Sequence, residues 1–323
     1  LGASFGGALG VTTSAGPGIV LKAETIGLAV ALELPLVIVD VQRAGPSTGL
    51  PTKPEQGDLF MVMYGRNSES PVPVLAASTP GNCFDMAIEA VRIALAYRTP
   101  VYLLSDAYLA NGAEPWLIPD VAALPDLSVE FATKPNGEDG AFLPYLRNPE
   151  TLARPWAIPG TPGMMHRVGG IEKQDGRGDI NYSPANHEQM VHLRQAKVDA
   201  IAKDIPLLKV EGDESPDVLV LGWGSTWGAI KAAVNQVRAD GHKVGHAHLT
   251  HLNPFPSNLG EVLKSAKKVI VPEMNLGQLC SLVRAKYLVD AQSISKVRGV
   301  PFTSAEIERH IKTALASVTE ASK

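Results

Sequence analysis

The chain has 323 residues, 45% hydrophobic and 19% charged, with a formal net charge of −4. That is the composition of a soluble globular protein with room for two ordinary domains and a buried core. A slightly acidic balance argues against non-specific nucleic-acid binding, and no apolar run reaches the length of a membrane span; a small anionic ligand stays open, since one arginine can hold it.

The opening LGASFGGALGVTTSAGPG reads as the second half of a small-residue helix, a short strand and a turn. No initiator Met, signal peptide or helix-start signal precedes Leu1, so the expectation is a chain that begins inside a domain, with an upstream portion missing or on another chain. Residues 17–34 carry apolar residues at helical spacing behind a proline, which predicts one helix. LPLVIVDV is a continuous β-branched run, as expected of a central parallel strand. DLFMVMYG predicts a helix, VPVLAAS a strand, CFDMAIEAVRIALAYRT an amphipathic helix and PVYLLSD another strand. Such alternation argues for a doubly wound α/β unit over 1–125.

Residues 126–209 are rich in Pro, Gly and Asn and have little periodicity until HEQMVHLRQAKVDAIAKDI, which predicts a helix. Their aromatic and Arg content points to a packed inter-domain connection rather than disorder. From 210 to 323 a second α/β unit repeats strand, glycine turn and helix. The two cysteines, Cys83 and Cys280, belong to no metal or cluster motif, so this chain by itself offers no iron–sulfur or zinc site; they read as reduced thiols of a cytosolic protein.

Several segments could carry chemistry. TTSAGPG, residues 12–18, presents Thr12, Thr13 and Ser14 at a strand end before a glycine turn; it reads either as an anion site or as a capping turn. It is neither a Walker A nor a dinucleotide sequence. Arg43 follows LPLVIVDV at the carboxyl end of a strand, where open α/β sheets bind ligands. Its fork suits a carboxylate or phosphate. Ser47, Thr48 and Lys53 crowd the same segment, QRAGPSTGLPTKPEQGD. The alternative is an ion pair from Arg43 to Asp40, Glu55 or Asp58 that staples the loop. In GWGSTWG, the spacing of Trp223 and Trp227 allows a shared helix face; the other reading is a tight turn with aromatic core packing. His246 and His248 share one face of a strand, near His251; without acidic or thiol partners they read as structural rather than metal-binding. Glu273 and Asn275 follow a strand, the Asn as a helix cap.

TTSAGPG, RAGPSTGLPTKPEQGDL, GWGSTWGA, HLTHLNPFP and VPEMNLGQL together resemble the α subunit of 2-oxoacid:ferredoxin oxidoreductases, most closely the 2-oxoglutarate branch. The resemblance covers nearly the whole chain; GIEKQDGRG departs from the family's GLEHDExG form, near His166 and Glu172. It implies a thiamine-diphosphate enzyme whose N-terminal unit is an N-terminally incomplete pyrimidine-binding domain and whose C-terminal unit is like the transketolase C-terminal domain. The expected reaction is oxidative decarboxylation of 2-oxoglutarate to succinyl-CoA, with electrons passing to ferredoxin. Mg²⁺ and a [4Fe–4S] cluster are expected on a β subunit in an (αβ)₂ heterotetramer, in the cytoplasm, with coenzyme A as co-substrate. By the same resemblance Arg43, with Thr48 beside it, binds the substrate carboxylate, Lys53 a distal one, and Thr13 the substrate or aminopyrimidine. Thr12 and Ser14 lie near the cofactor. The family's pyrimidine-contacting glutamate is expected before Leu1, so no catalytic residue is assigned within the chain. A pyruvate or other 2-oxoacid member and a non-catalytic scaffold subunit are the alternatives.

Overall fold

The structure is a computed structural model that describes residues 1–213 and 215–321. A short helix, α1 (Gly2–Phe5), leads into β1 (Gly10–Ser14). The single helix expected over 17–34 is two, α2 (Gly16–Val20) and α3 (Ala23–Leu32). The break comes at Leu21–Lys22, where the Lys22 N–H donates to the Ile19 carbonyl and its ammonium to Gly18 O, both at 2.9 Å. Apolar periodicity runs through that break unchanged, so spacing could not reveal it. α3 ends on Glu33, which is left-handed at φ 51°.

Next come β2 (Leu36–Gln42), α4 (Leu59–Tyr64), β3 (Val74–Ala76), α5 (Asn82–Tyr97), β4 (Pro100–Asp106) and α6 (Ala107–Asn111). β2 and β4 are mostly buried and pair in parallel over seven residues, which is why both read as apolar runs rather than alternating ones. The connection then runs without regular strands to α7 (Pro184–Ala200).

The remainder is β5 (Val210–Gly212), β6 (Val218–Trp223), α8 (Trp227–Ala239), β7 (Val244–Leu249), β8 (His251–Asn253), α9 (Leu259–Lys264), β9 (Lys268–Glu273), α10 (Gln278–Tyr287), β10 (Ala291–Ser295) and α11 (Ser304–Ala321). The first sheet has the order β1-β2-β4-β3-β8 and the second β10-β9-β6-β7-β5. Both are parallel apart from their last strands, β8 and β5. β8 comes from the C-terminal half yet pairs with β3, and one apolar cluster runs from Ile38 and Leu104 to Leu221, Leu249 and Val271. The two α/β units therefore share a core.

The connection is tied down by buried charge. Arg147 and Lys197 both pair with Glu33, and Arg154 Nε donates to the carbonyls of Leu32 and Glu33 at 2.9 and 3.1 Å. Among the described residues no helix is long and apolar enough to cross a membrane. Cys83 is half-buried and Cys280 buried, and neither forms a disulfide.

Candidate functional site

β1, β2 and β4 lie side by side, with Ser14 in register with Asp40 and Gln42 with Asp106, so their carboxyl ends form one edge. Open α/β sheets bind ligands at such an edge. From it springs the 43–58 loop. Gln42 closes the base of the loop: its amide donates to Ser105 O at 3.1 Å and accepts from the Asp58 N–H at 3.1 Å. Within the loop Ala44 N–H donates to Lys53 O at 3.0 Å, Leu50 N–H to Ala44 O at 2.9 Å, and Gly45 N–H to the Glu55 carboxylate at 2.8 Å. Gly49 has φ +48°, and a Cβ there would come within 2.2 Å of Ala44 O, so the turn in GPSTG requires glycine. The loop is folded on itself and presents its polar groups from a fixed backbone.

Arg43 stands half-buried at the exit of β2. The ion-pair staple weighed for it does not form: among the described residues Arg43 has no carboxylate within 4.0 Å, and its buried Nε has no hydrogen-bond partner. Glu55 is used by the backbone instead. Both oxygens of buried Asp40 are also without a partner. Buried polar groups are normally satisfied, so the Arg43 Nε and the Asp40 carboxyl stand out near the end of β2 as candidate ligand contacts. Burial pushes the Asp40 carboxyl up to about 8, helped by the charge of Asp58. Burial and Glu55 likewise raise Asp58 to about 6, with Arg43 pulling the other way. The Asp58 carboxylate lies where a Cβ on Gly16 would be, at 2.6 and 2.7 Å, so the loop base and the TTSAGPG turn are in contact.

The other residues singled out in the sequence divide by position. Thr13 is exposed at the end of β1, with Thr12 and Ser14 half-buried beside it; the Ser14 hydroxyl packs against Gly18. Thr48 and Lys53 are exposed on the outer part of the loop, and the Lys53 stem packs against Gly299 of the second unit. The edge thus brings Thr12, Thr13, Ser14 and Arg43 onto adjoining strand ends and holds Thr48 and Lys53 farther out. His166 accepts or donates only locally, with Nδ1 2.7 Å from Met164 O, and Glu172 is engaged by Arg194 and His187.

Trp223 and Trp227 do not share a helix face. β6 ends at Trp223, Gly224 turns the chain at φ +60°, and only Trp227 enters α8, where Lys231 lies 4.7 Å above its ring. The fully buried Trp223 indole instead donates to Glu273 at 3.2 Å. Asn275 caps α10 as expected, accepting from Gly277 and Gln278 N–H at 2.7 and 3.0 Å. His246 and His248 do share a strand face. Their rings relay to the Gly224 carbonyl, with His248 Nε2 at 3.0 Å, and burial lowers His246 to about 4 and His248 well below the usual histidine value. A neutral pair spent on a backbone carbonyl is structural. Among the described residues no group of three His, Cys, Asp or Glu is arranged to hold a metal ion.

Two contributors escaped sequence reasoning. Gln42 closes the loop, and Asp106 both caps α6 through Tyr108 and Leu109 N–H and accepts the Ser225 hydroxyl from the second unit. Asp40 had a visible signal, as the one charge in an otherwise apolar strand.

Comparison with known proteins falls on the same regions. Residues 1–181 match the family described as pyruvate flavodoxin/ferredoxin oxidoreductase, thiamine-diphosphate-binding, and residues 216–307 match core domain II of pyruvate:ferredoxin oxidoreductase. The chain is 59% identical to the 2-oxoglutarate oxidoreductase subunit KorA of Mycobacterium tuberculosis, over 98% of this chain and 48% of that protein. It is 32% identical to the 2-oxoglutarate synthase subunit KorA of Methanocaldococcus jannaschii, over 96% of this chain and 82% of that one. Among solved structures, the 2-oxoglutarate:ferredoxin oxidoreductase from Magnetococcus marinus, with 2-oxoglutarate, coenzyme A and succinyl-CoA bound, superposes with a TM-score of 0.90 at 35% identity. It is covered over 55% of its length and covers 98% of this chain. The chain thus spans about half the length of the mycobacterial relative and of the solved structure.

Proposed function

The chain belongs to the pyruvate flavodoxin/ferredoxin oxidoreductase family, and from that premise we propose that it is the α-subunit portion of a 2-oxoglutarate:ferredoxin oxidoreductase. In this reading 2-oxoglutarate is oxidatively decarboxylated to succinyl-CoA, and the electrons leave through a partner β subunit carrying Mg²⁺ and a [4Fe–4S] cluster to ferredoxin. The assembly is a cytoplasmic (αβ)₂ heterotetramer. Residues 1–125 and 210–323 are its two α/β units, with 126–209 as the connection. Thiamine diphosphate, when bound, supplies the electron sink for decarboxylation; the residues of this chain bind and orient the substrate beside it.

The observation that carries this is the orphaned Arg43 Nε at the carboxyl edge of the first sheet. A guanidinium with an unfilled donor takes the 2-oxoacid carboxylate in a charge-assisted bond. The exposed Thr13 hydroxyl lies on the neighbouring strand to meet the substrate or the aminopyrimidine, with Thr12 and Ser14 at the same strand end. The unpartnered Asp40 carboxyl fits the polar, nitrogen-bearing ring such a cofactor brings. Thr48 flanks the carboxylate, and exposed Lys53 reaches for the distal carboxylate that separates 2-oxoglutarate from pyruvate.

The test is turnover by the complete subunit purified with its β partner. Reduction of ferredoxin that requires both 2-oxoglutarate and coenzyme A is expected; preference for pyruvate would overturn the substrate, and no thiamine-diphosphate-dependent turnover would overturn the activity. Lys53→Ala is expected to raise KM for 2-oxoglutarate about tenfold while leaving 2-oxobutyrate, which lacks the distal carboxylate, within about twofold. Equal effects on both substrates would remove Lys53 from that role.

A further inference from the structure

The 43–58 loop is not held by its own unit alone. Gln56, two residues from its end, is 0% exposed, and its polar atoms are met by the second α/β unit. Its side-chain amide donates to Trp223 O at 2.9 Å and accepts from Met274 N–H at 3.0 Å. Its backbone N–H donates to Met274 O at 3.0 Å, and its carbonyl accepts from the Asn275 amide at 2.8 Å. Gly224 has no Cβ because one would stand 2.6 Å from the Gln56 nitrogen. The GWGSTWG and VPEMNLGQL turns therefore converge on one glutamine of the loop.

Behind them stands Glu273, fully buried, accepting from the Trp223 indole, the Asn275 amide and the Leu279 and Cys280 N–H groups. Those contacts fix the two partners of Gln56 relative to each other and to the first turn of α10. Gln278 adds a second tie, donating to Gly57 O and accepting from Phe60 N–H, each at 2.8 Å. Among the described residues, its other end is held by hydrogen bonds within the loop, from the Ala44, Gly45 and Leu50 N–H groups to Lys53 O, the Glu55 carboxylate and Ala44 O.

We infer that Gln56 is a positioning residue for 2-oxoacid recognition: gripped by the Trp223 and Met274 backbone, it sets the loop that carries Thr48 and Lys53 against the Arg43 edge. This rests on the function proposed above for that edge. It assigns the two C-terminal turns a part in substrate selection that neither plays by touching substrate. An amide is required because one atom must donate to a carbonyl and the other accept from an N–H, in a site fully buried from solvent.

The test uses the complete enzyme with its β partner and two variants. In Gln56→Ala the 43–58 segment is expected to exchange its amide hydrogens at least about tenfold faster, while KM for 2-oxoglutarate rises about tenfold or more and kcat changes less than about threefold. Gln56→Glu at pH 8 is expected to behave the same way, since an ionised carboxylate faces the Trp223 carbonyl. As pH falls toward 6 its protonated form can donate there again, so its KM should return toward wild type, judged against the wild-type profile that already carries Asp58 and Glu273. Unchanged loop exchange, or parallel falls in kcat and in global stability, or no recovery of the Glu variant at low pH, would overturn the inference. The exchange readout needs no turnover, so an enzyme without 2-oxoacid activity would refute the proposed function and still decide whether Gln56 holds the loop.

Discussion

Arg43→Ala is expected to lower kcat/KM for 2-oxoglutarate by roughly 10²- to 10³-fold, about 3–4 kcal/mol, in the range for truncating one partner of a desolvated charge pair. The expectation follows from what Arg43 lacks. It has no carboxylate within salt-bridge reach among the described residues and leaves a buried Nε unfilled, so little of its bonding is spent on the fold. Removing it should therefore cost little stability, and an unchanged melting temperature beside the lost activity separates recognition from folding. Arg43→Lys keeps the charge but not the fork, and is expected to recover only part of the loss. A further signature comes from Asp58. Burial and Glu55 raise its carboxyl to about 6, and Arg43 pulls it down. Without Arg43 the Asp58 carboxyl rises further, so the residual activity of Arg43→Ala should have its acidic limb displaced to higher pH. Activity within threefold of wild type, measured as viologen reduction by the assembled enzyme, would remove Arg43 from the site.

How much of this was open to inspection in the sequence depends on the range of the interactions. β2, β4 and α5 were legible because a buried parallel strand and an amphipathic helix each leave a local pattern. The 42–58 segment announced itself by polar density behind an apolar run. The break at Leu21–Lys22 was hidden, since it is made by local hydrogen bonds that leave the apolar spacing intact. For Trp223 and Trp227 the spacing left a helix face and a tight turn both open, and one glycine at positive φ, between a strand end and a helix start, gives the turn with Trp223 packed in the core. β8 in the first sheet, and Gln56 between Trp223 and Met274, join residues more than 150 positions apart in the chain. No local pattern encodes such partners. In the sequence Gln56 reads as loop scaffolding rather than a catalyst, and its burial between the two turns supplies the partners that reading lacks.

The same blindness to range applies to Glu33, where the largest effect on stability is expected. In the sequence it is an acid near the end of a helical run; in the structure it is 2% exposed and meets Arg147 and Lys197, one from the connection and one from α7. Burial by itself would raise its carboxyl, but Lys197 and Arg147 bring it down to about 2. Burial in turn lowers the Lys197 ammonium to about 8 against the pull of Glu33, so near neutral pH both partners carry charge. Glu33→Gln leaves two buried cations facing a neutral amide and is expected to destabilise the chain by ~3–5 kcal/mol, the range for breaking a buried pair from one side. The pH dependence has a definite sign. A carboxyl depressed in the folded state contributes fully above its unfolded value of about 4.5 and loses that contribution as pH falls toward 2, here about 3 kcal/mol. The gap in urea midpoint between wild type and Glu33→Gln should therefore narrow as pH falls from about 4.5 toward 2; above pH 5 it also carries Lys197, whose ammonium is lowered further once Glu33 no longer raises it. Pairing Glu33→Gln with Lys197→Gln should cost less than the sum of the single changes, because the second removes a cation the first has stranded. A gap under about 1 kcal/mol at pH 7, or one that persists undiminished near pH 2, would mean the connection is held to α3 by packing and by the Arg154 bonds to the Leu32 and Glu33 carbonyls, with the buried charges adding nothing.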